Sequence, residues 1–360
     1  MKKIVVLLIL LLIPMKTMAL ETSATASILM DTDNNRILYA NNIHKVRSIA
    51  SISKIMTAIV AIESGKLDET VTVGDEIKKA YGSGIYIQVG ENIKLLDLLY
   101  GLMLRSGNDA ALTIASYVGG NVDEFVKKMN EKAREIGMKN TVFNNPSGLD
   151  QEKGNYSTAY DMAILTSYAM KNETYRKIVS TKSYKVKTNM NFYSWINKNK
   201  LLHTYKYSTG GKTGFTEIAR RTLVTTASKD GVNLVAVTLN DGNDFNDHKN
   251  MFEYGFNNYT NYTILKKGDI DIIGESYYFD NSFYIKNDFN YILTPDEKEN
   301  IKLKFILEKS TNKKNDEKIG KVIVYVMDKQ VHEEDIYLQE KKHNKKNIIQ
   351  KIIDWFKNDK

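Results

Sequence analysis

The sequence predicts an α+β fold: an antiparallel sheet with a helical subdomain, then a small all-β domain, then an amphipathic helix at the C-terminus. Three observations lead there. Strand-like runs from Ala24 to Ala40 and from Thr222 to Leu239 bracket a block of helix-like runs. The later strands follow one another through tight turns such as Lys229-Asp230-Gly231, a connection that joins antiparallel neighbours. From Tyr262 onward the helical period gives way to alternation, as in Ile301-Lys302-Leu303-Lys304-Phe305-Ile306-Leu307 and Lys321-Val322-Ile323-Val324-Tyr325-Val326. The expected division is 1–19, 20–260, 261–340 and 341–360, with the boundary between the folded domains near Thr260.

Met1 to Ala19 reads as an export signal: Lys2 and Lys3, an apolar run from Ile4 to Ile13, and Thr17-Met18-Ala19 with a small residue at the cut. The apolar run is shorter than the ~20 residues a spanning helix needs. A hairpin follows, Ala26 to Met30 and Arg36 to Ala40 around Asp33-Asn34-Asn35. Ala50 begins an apolar helix that stops at Gly65, a natural cap. Thr70 to Val73 and Ile85 to Val89 are short strand candidates, and Leu95 to Leu104, Ala110 to Val118, Val122 to Ile136 and Tyr160 to Met170 read as helices. Asn144 to Asp150 is a loop by its Asn, Pro, Ser and Gly content. Ser183 to Thr188, Phe192 to Ile196, Thr222 to Ala227 and Leu234 to Leu239 read as strands, with Gly210-Gly211-Lys212-Thr213-Gly214-Phe215-Thr216 ahead of the last two.

Composition narrows the function. The formal charge is +8, but the first nineteen residues carry three lysines and no acid, and residues 341–360 carry seven lysines against Asp354 and Asp359. The body between them is neutral, so nothing points to nucleic acid as a partner. There is no cysteine, which excludes disulfides, thiol catalysis and cysteine-bound zinc. In the tail, Ile348, Ile349, Ile352, Ile353, Trp355 and Phe356 fall within an arc of roughly 160° on a helix. A basic helix with such a face suits a membrane surface, docking on the β domain being the alternative.

Three short motifs carry the chemistry. In Ala50-Ser51-Ile52-Ser53-Lys54-Ile55-Met56-Thr57, Ser51 and Lys54 lie three apart on one helix face, close enough to share a proton. A serine hydroxyl attacks only when a neighbour takes its proton, and a lysine can do so only with a lowered pKa. Ser-x-x-Lys recurs by chance, as at Ser310 to Lys313, and a serine at this place can simply cap the helix. Weight comes from the ordered set, in which Ser106-Gly107-Asn108 and then Lys212-Thr213-Gly214 follow. The last is not a phosphate loop, because the glycine such a loop needs is Lys206 here.

With Asn145-Pro146-Ser147-Gly148-Leu149-Asp150, Tyr156-Ser157-Thr158-Ala159-Tyr160-Asp161-Met162-Ala163 and Phe215-Thr216, the set resembles the serine-type D-alanyl-D-alanine carboxypeptidases, low-molecular-mass penicillin-binding proteins of peptidase family S11. The resemblance spans nearly the whole chain, and implies a β-lactamase/transpeptidase-like catalytic domain and no cofactor or metal. It implies that Ser51 attacks the peptide bond between two D-alanines of a peptidoglycan stem peptide and that Lys54 is the base. Ser106 would relay a proton to the leaving amine, and Asn108 would hold the substrate amide. The N–H groups of Ser51 and Phe215 would form the oxyanion hole, Lys212 and Thr213 would line the strand edge and bind the terminal carboxylate, and Gly214 and Phe215 would complete the substrate-binding strand. β-Lactams are then covalent inhibitors. Two departures stand out: Ser147 occupies a position where the family often has histidine, and no arginine lies near Phe245, so Lys212, Thr213, Arg220 and Arg221 are the candidates for carboxylate recognition. The Asn144 to Asp150 loop holds no glutamate to speed deacylation, unlike class A β-lactamases. An endopeptidase on crosslinked peptides and a non-catalytic wall protein with a relict site are the competing readings.

Overall fold

The computed structural model describes residues 20–150, 153–272, 277–278, 281–309 and 314–340. The expected signal and the expected C-terminal helix lie outside them. The chain forms two compact units, one running up to Ser228 and again over Asn233–Gly255, the other made of Lys229–Val232 and the chain from Phe256.

In the first unit, β1 (Ala26–Asp31) and β2 (Ile37–Asn41) pair antiparallel as the alternation predicts. The Asp31 carboxylate accepts the Asn34 N–H at 3.0 Å and so closes the turn. β3 (Arg47–Ser48) leads into a 3₁₀ turn, Ala50–Ser53, and then α1 (Lys54–Glu63). Every residue from Lys54 to Ile62 is buried, because a helix apolar on all sides is stable only at the centre of a core. Gly65, at φ +74°, ends it in the left-handed conformation that glycine adopts without penalty.

β4 (Thr70–Thr72) pairs with β5 (Asn92–Lys94), and the strand expected over Ile85 to Val89 does not form. Its donors are already committed: Ile85 N–H and Tyr86 N–H donate to the Asp109 carboxylate at 3.0 and 2.6 Å, and Gln88 N–H donates to Glu91 at 2.9 Å. α2 (Leu95–Tyr100) runs into a π turn over Gly101–Arg105 where a continuous helix was expected. α3 (Asn108–Gly119), α4 (Val122–Glu135), α5 (Ala159–Ala169) and α6 (Glu173–Ser180) complete the helical layer, and β6 (Tyr156–Ser157) pairs back with β3. After the hairpin β7 (Ser183–Lys187) and β8 (Phe192–Ile196) and the short α7 (Leu201–Thr204), the chain builds β9 (Ser208–Thr216), β10 (Arg220–Lys229) and β11 (Val232–Leu239), and closes with α8 (Asp244–Asn258). The sheet order is β2-β1-β11-β10-β9, which leaves β9 as an edge. α6 and α8 were not expected from the sequence. α8 buries His248, Met251, Phe252 and Gly255, a helical spacing within an otherwise polar run.

The second unit is β12 (Thr260–Leu265), β13 (Gly268–Ile270), β14 (Asn281–Ile285), β15 (Phe289–Leu293), one helical turn α9 (Pro295–Lys298), β16 (Ile301–Leu307), β17 (Lys318–Val326) and β18 (Lys329–Glu340). Five of these strands form a sheet in the order β13-β14-β18-β17-β16 over a core that includes Ile285, Phe289, Val322, Val324, Ile336 and Leu338. Among the described residues no helix is long and apolar enough to cross a membrane.

Asp109 is nearly buried and holds the 85–86 turn beside the Ser106-Gly107-Asn108 motif. Asp109→Ala strands two backbone donors and should lower the unfolding free energy by about 2–4 kcal/mol in urea titration. A loss under about 0.5 kcal/mol would mean that water replaces the carboxylate at no cost.

Candidate active site

The tight turn that precedes α1 decides the geometry at Ser51. With three residues per turn, side chains three apart eclipse, so Ser51 and Lys54 align more directly than on the continuous helix that the sequence suggested. Lys54 Nζ lies 3.1 Å from Ser51 Oγ, 2.7 Å from Asn108 Oδ1 and 2.5 Å from the Ser147 carbonyl oxygen. A neutral amine has two N–H bonds and one lone pair. The amide oxygen of Asn108 and the carbonyl of Ser147 can only accept, so they take the two N–H bonds and the lone pair is left for the Ser51 hydroxyl. That is the arrangement of a base poised on a nucleophile.

Electrostatics favour the neutral form. Lys54 is fully buried, and this burial, followed by the positive charges of Lys212 and Lys198, holds its amine well below the usual lysine range against a smaller opposing pull from Asp109. Lys212 is itself buried and is pushed down to about 7 by burial and by Lys198. Its ammonium donates to the Thr213 carbonyl at 2.6 Å and has no acidic partner among the described residues. The Lys212 charge thus lowers the affinity of Lys54 for a proton, and the Lys198 charge lowers that of both.

β9 is held against the serine turn by missing side chains. A Cβ on Gly214 would fall 2.4 Å from Thr222 Oγ1 and 3.0 Å from Ser51 N, so only glycine lets the edge strand lie this close. Gly148, at φ +83°, approaches from the other side, where a Cβ would meet the Ala50 carbonyl oxygen at 2.0 Å. The Asp150 carboxylate ties these parts together by accepting from Ser48 Oγ at 2.8 Å and from Thr216 Oγ1. Phe215 follows Gly214 on the strand edge with its ring half exposed.

Ser51, Lys54 and Asn108 are therefore brought into contact, with Lys212, Thr213, Gly214 and Phe215 on the strand alongside. Ser106 is buried in the left-handed region at φ +65°, two residues before Asn108, and its hydroxyl makes no hydrogen bond among the described residues. Both arginines considered for carboxylate recognition are engaged: Arg221 is paired with Asp244 at 2.5 Å and Arg220 with Glu217 at 3.0 Å. Sequence reasoning missed the carbonyls of Ser147 and Tyr81, the latter accepting from Asn108 Nδ2 at 2.6 Å. A backbone carbonyl leaves no mark on residue type. It also missed Lys198, an ordinary lysine until the fold sets it near the other two. No cluster of three or more His, Asp or Glu among the described residues is placed to hold a metal.

Comparison with known proteins places this chain in a class, the penicillin-binding proteins. Penicillin-binding protein 5 from Haemophilus influenzae has a TM-score of 0.74 at 25% identity, covering 89% of this chain and 97% of that one. The D-alanyl-D-alanine carboxypeptidase DacF of Bacillus subtilis is 34% identical over 263 residues, 70% of this chain and 67% of that protein. DacD of Escherichia coli, of the same name, is 30% identical over 343 residues, 89% and 87% of the two chains. The D-alanyl-D-alanine carboxypeptidase family, peptidase S11, matches residues 14–243, and the C-terminal domain of penicillin-binding protein 5 matches residues 259–352. The chain belongs to the S11 D-alanyl-D-alanine carboxypeptidase family.

The depressed lysine makes a stability prediction. Between pH 7 and 10.5 the unfolded chain binds a proton at Lys212 that the folded chain releases, so stability contributed through this group rises with pH across that window. Lys212→Met should be more stable than the parent at pH 7 and lose that advantage by about pH 10. Urea midpoints whose difference does not change with pH would show that Lys212 keeps an ordinary pKa.

Proposed function

We propose that this protein is a serine D-alanyl-D-alanine carboxypeptidase that removes the terminal D-alanine of peptidoglycan pentapeptides through an acyl-enzyme on Ser51. The observation that carries the reading is the placement of the Lys54 amine, 3.1 Å from Ser51 Oγ and within hydrogen-bond distance of two pure acceptors, Asn108 Oδ1 and the Ser147 carbonyl, so that in the neutral form its lone pair is left for the serine. Membership of the S11 family supports it.

In the first half-reaction Ser51 Oγ attacks the carbonyl of the penultimate D-alanine and its proton passes to Lys54. The oxyanion is received by the N–H groups of Ser51 and Phe215, which have donors to spare at the start of a helical turn and on a sheet edge, and each such donor is worth about 3 kcal/mol. Lys212 and Thr213 bind the substrate carboxylate, and Asn108 faces the acyl amide. Collapse of the intermediate breaks the C–N bond, Ser106 takes the proton held by Lys54 and passes one to the departing amine, D-alanine leaves and Lys54 is neutral again. Water then attacks the ester, with Lys54 again the base. Benzylpenicillin follows the first half, and its acyl-enzyme hydrolyses slowly, since the 144–150 loop brings no glutamate of the kind that class A β-lactamases use for fast deacylation.

The same reading divides the chain at 20–260 and 261–340 into a catalytic and a β domain. It takes residues 1–19 for export and 341–360 for attachment to the outer face of the cytoplasmic membrane.

The deciding measurement is the intact mass of the protein after exposure to benzylpenicillin, together with D-alanine release from a peptide ending in D-Ala-D-Ala. An adduct and release in the parent, both lost in Ser51→Ala, are expected. An adduct at another residue, or none, would overturn the mechanism. Lys198→Ala removes a charge that depresses Lys54 and Lys212, so the acid limb of the acylation rate should move to higher pH. A limb that stays in place would separate Lys198 from the site.

A further inference from the structure

A cavity of about 360 Å³ opens beside the serine and has no part in the chemistry above. Its lining includes Lys79, Tyr81, Asn108, Ser147, Leu149 and Lys153. Asn108 and Ser147 are the two residues that hold the Lys54 amine, so the cavity shares a wall with the reacting centre. Lys212, Thr213, Gly214 and Phe215 do not line it. With Lys212 and Thr213 taking the terminal carboxylate in the carboxypeptidase reading, a cavity walled by Asn108 and Ser147 is the place left for the part of the stem peptide before the two D-alanines.

Its chemistry is one-sided. Tyr81 and Leu149 supply an apolar wall, and Lys79 and Lys153 are exposed cations that make no ion pair among the described residues. Neighbouring Lys78 is paired with Asp75 at 2.7 Å, which leaves Lys79 as the cation available to the cavity. Among the described residues no aspartate or glutamate lines it, and Asp150, which acts on Tyr81, is occupied by the hydroxyls of Ser48 and Thr216. The frame is fixed. Asn108 Nδ2 donates to the Tyr81 carbonyl at 2.6 Å, and Asn145 Nδ2 donates to the carbonyls of Leu149 and Lys153 at 2.8 and 3.2 Å.

We infer that this cavity is a subsite for the acyl portion of the stem peptide and that Lys79 and Lys153 select stems carrying a free carboxylate ahead of the D-alanines. The inference rests on the carboxypeptidase reading and names its substrate class. An aliphatic side chain lies on Tyr81 and Leu149, and its carboxylate reaches the two ammonium groups. Two positions could supply that group: the side chain of the third residue, or the α-carboxyl of a γ-linked second residue.

The test measures kcat/KM for D-alanine release from pentapeptides with diaminopimelate at the third position. One has both carboxyls free, one is amidated at the third residue, and one is amidated at the second. The parent should prefer the free acid over one of the amides by roughly three- to tenfold, the scale of two exposed ion pairs, and the position whose amidation matters identifies the source. The ratio should shrink toward one in Lys79→Ala/Lys153→Ala and at high salt, and persist in Lys79→Arg/Lys153→Arg. Equal rates on all three peptides in the parent, or an unchanged ratio in the double alanine variant, would overturn the subsite while leaving the carboxypeptidase intact. Release from none of them would overturn the carboxypeptidase reading and the subsite with it.

Discussion

An amine at the centre of a hydrophobic core must be neutral, and most of this fold can be understood as the means of keeping one so. α1 is apolar on every face, which forces it to the middle of the first unit and takes Lys54 there with it. Segments far apart in the chain then converge on the amine and supply acceptors or positive charge: Asn108 at the start of α3, the Ser147 carbonyl from a loop, and Lys212 from the edge strand. The one carboxylate close enough to oppose them, Asp109, is spent on the N–H groups of the 85–86 turn. Had that carboxylate been free to face Lys54, the ammonium would be the stable form and no base would exist.

The site is also rigid for reasons that lie in ordinary hydrogen bonds. The Asp150 carboxylate joins the strand before the serine to the far end of β9. Asn145 ties its own loop together by accepting from Ser147 and Gly148 while donating to Leu149. Such short-range closure explains how a loop with no regular structure can place a carbonyl at 2.5 Å from a buried nitrogen.

Much of this was legible in the residues. The first hairpin, α1 with its glycine stop, and the three-motif order can be read because periodicity and capping act locally. The exceptions have physical reasons. Ile85 to Val89 alternates as a strand does, but the carboxylates of Asp109 and Glu91 claim its donors. The π turn at Gly101–Arg105 begins at a glycine packed so closely that a Cβ there would meet Ile85 at 2.6 Å, and no residue pattern announces the turn. α8 is mostly polar, and its buried stripe of His248, Met251, Phe252 and Gly255 is thin enough to pass for a loop. At the site, side chains were predictable, whereas the carbonyls that orient Lys54 belong to the main chain and carry no residue identity.

Gly148 and Gly214 carry a consequence for how such a protein can change under selection. The walls pressed against the serine turn are backbone on both sides, and any side chain placed there collides with Ala50, Ser51 or Thr222. Point mutation can therefore neither shield nor reshape the immediate surroundings of Ser51 without dismantling them. Adaptation to an inhibitor that reacts with this serine is left to the rim, where Ser147, Thr213 and Phe215 have side chains to exchange, and any barrier raised there stands in the path of the substrate as well.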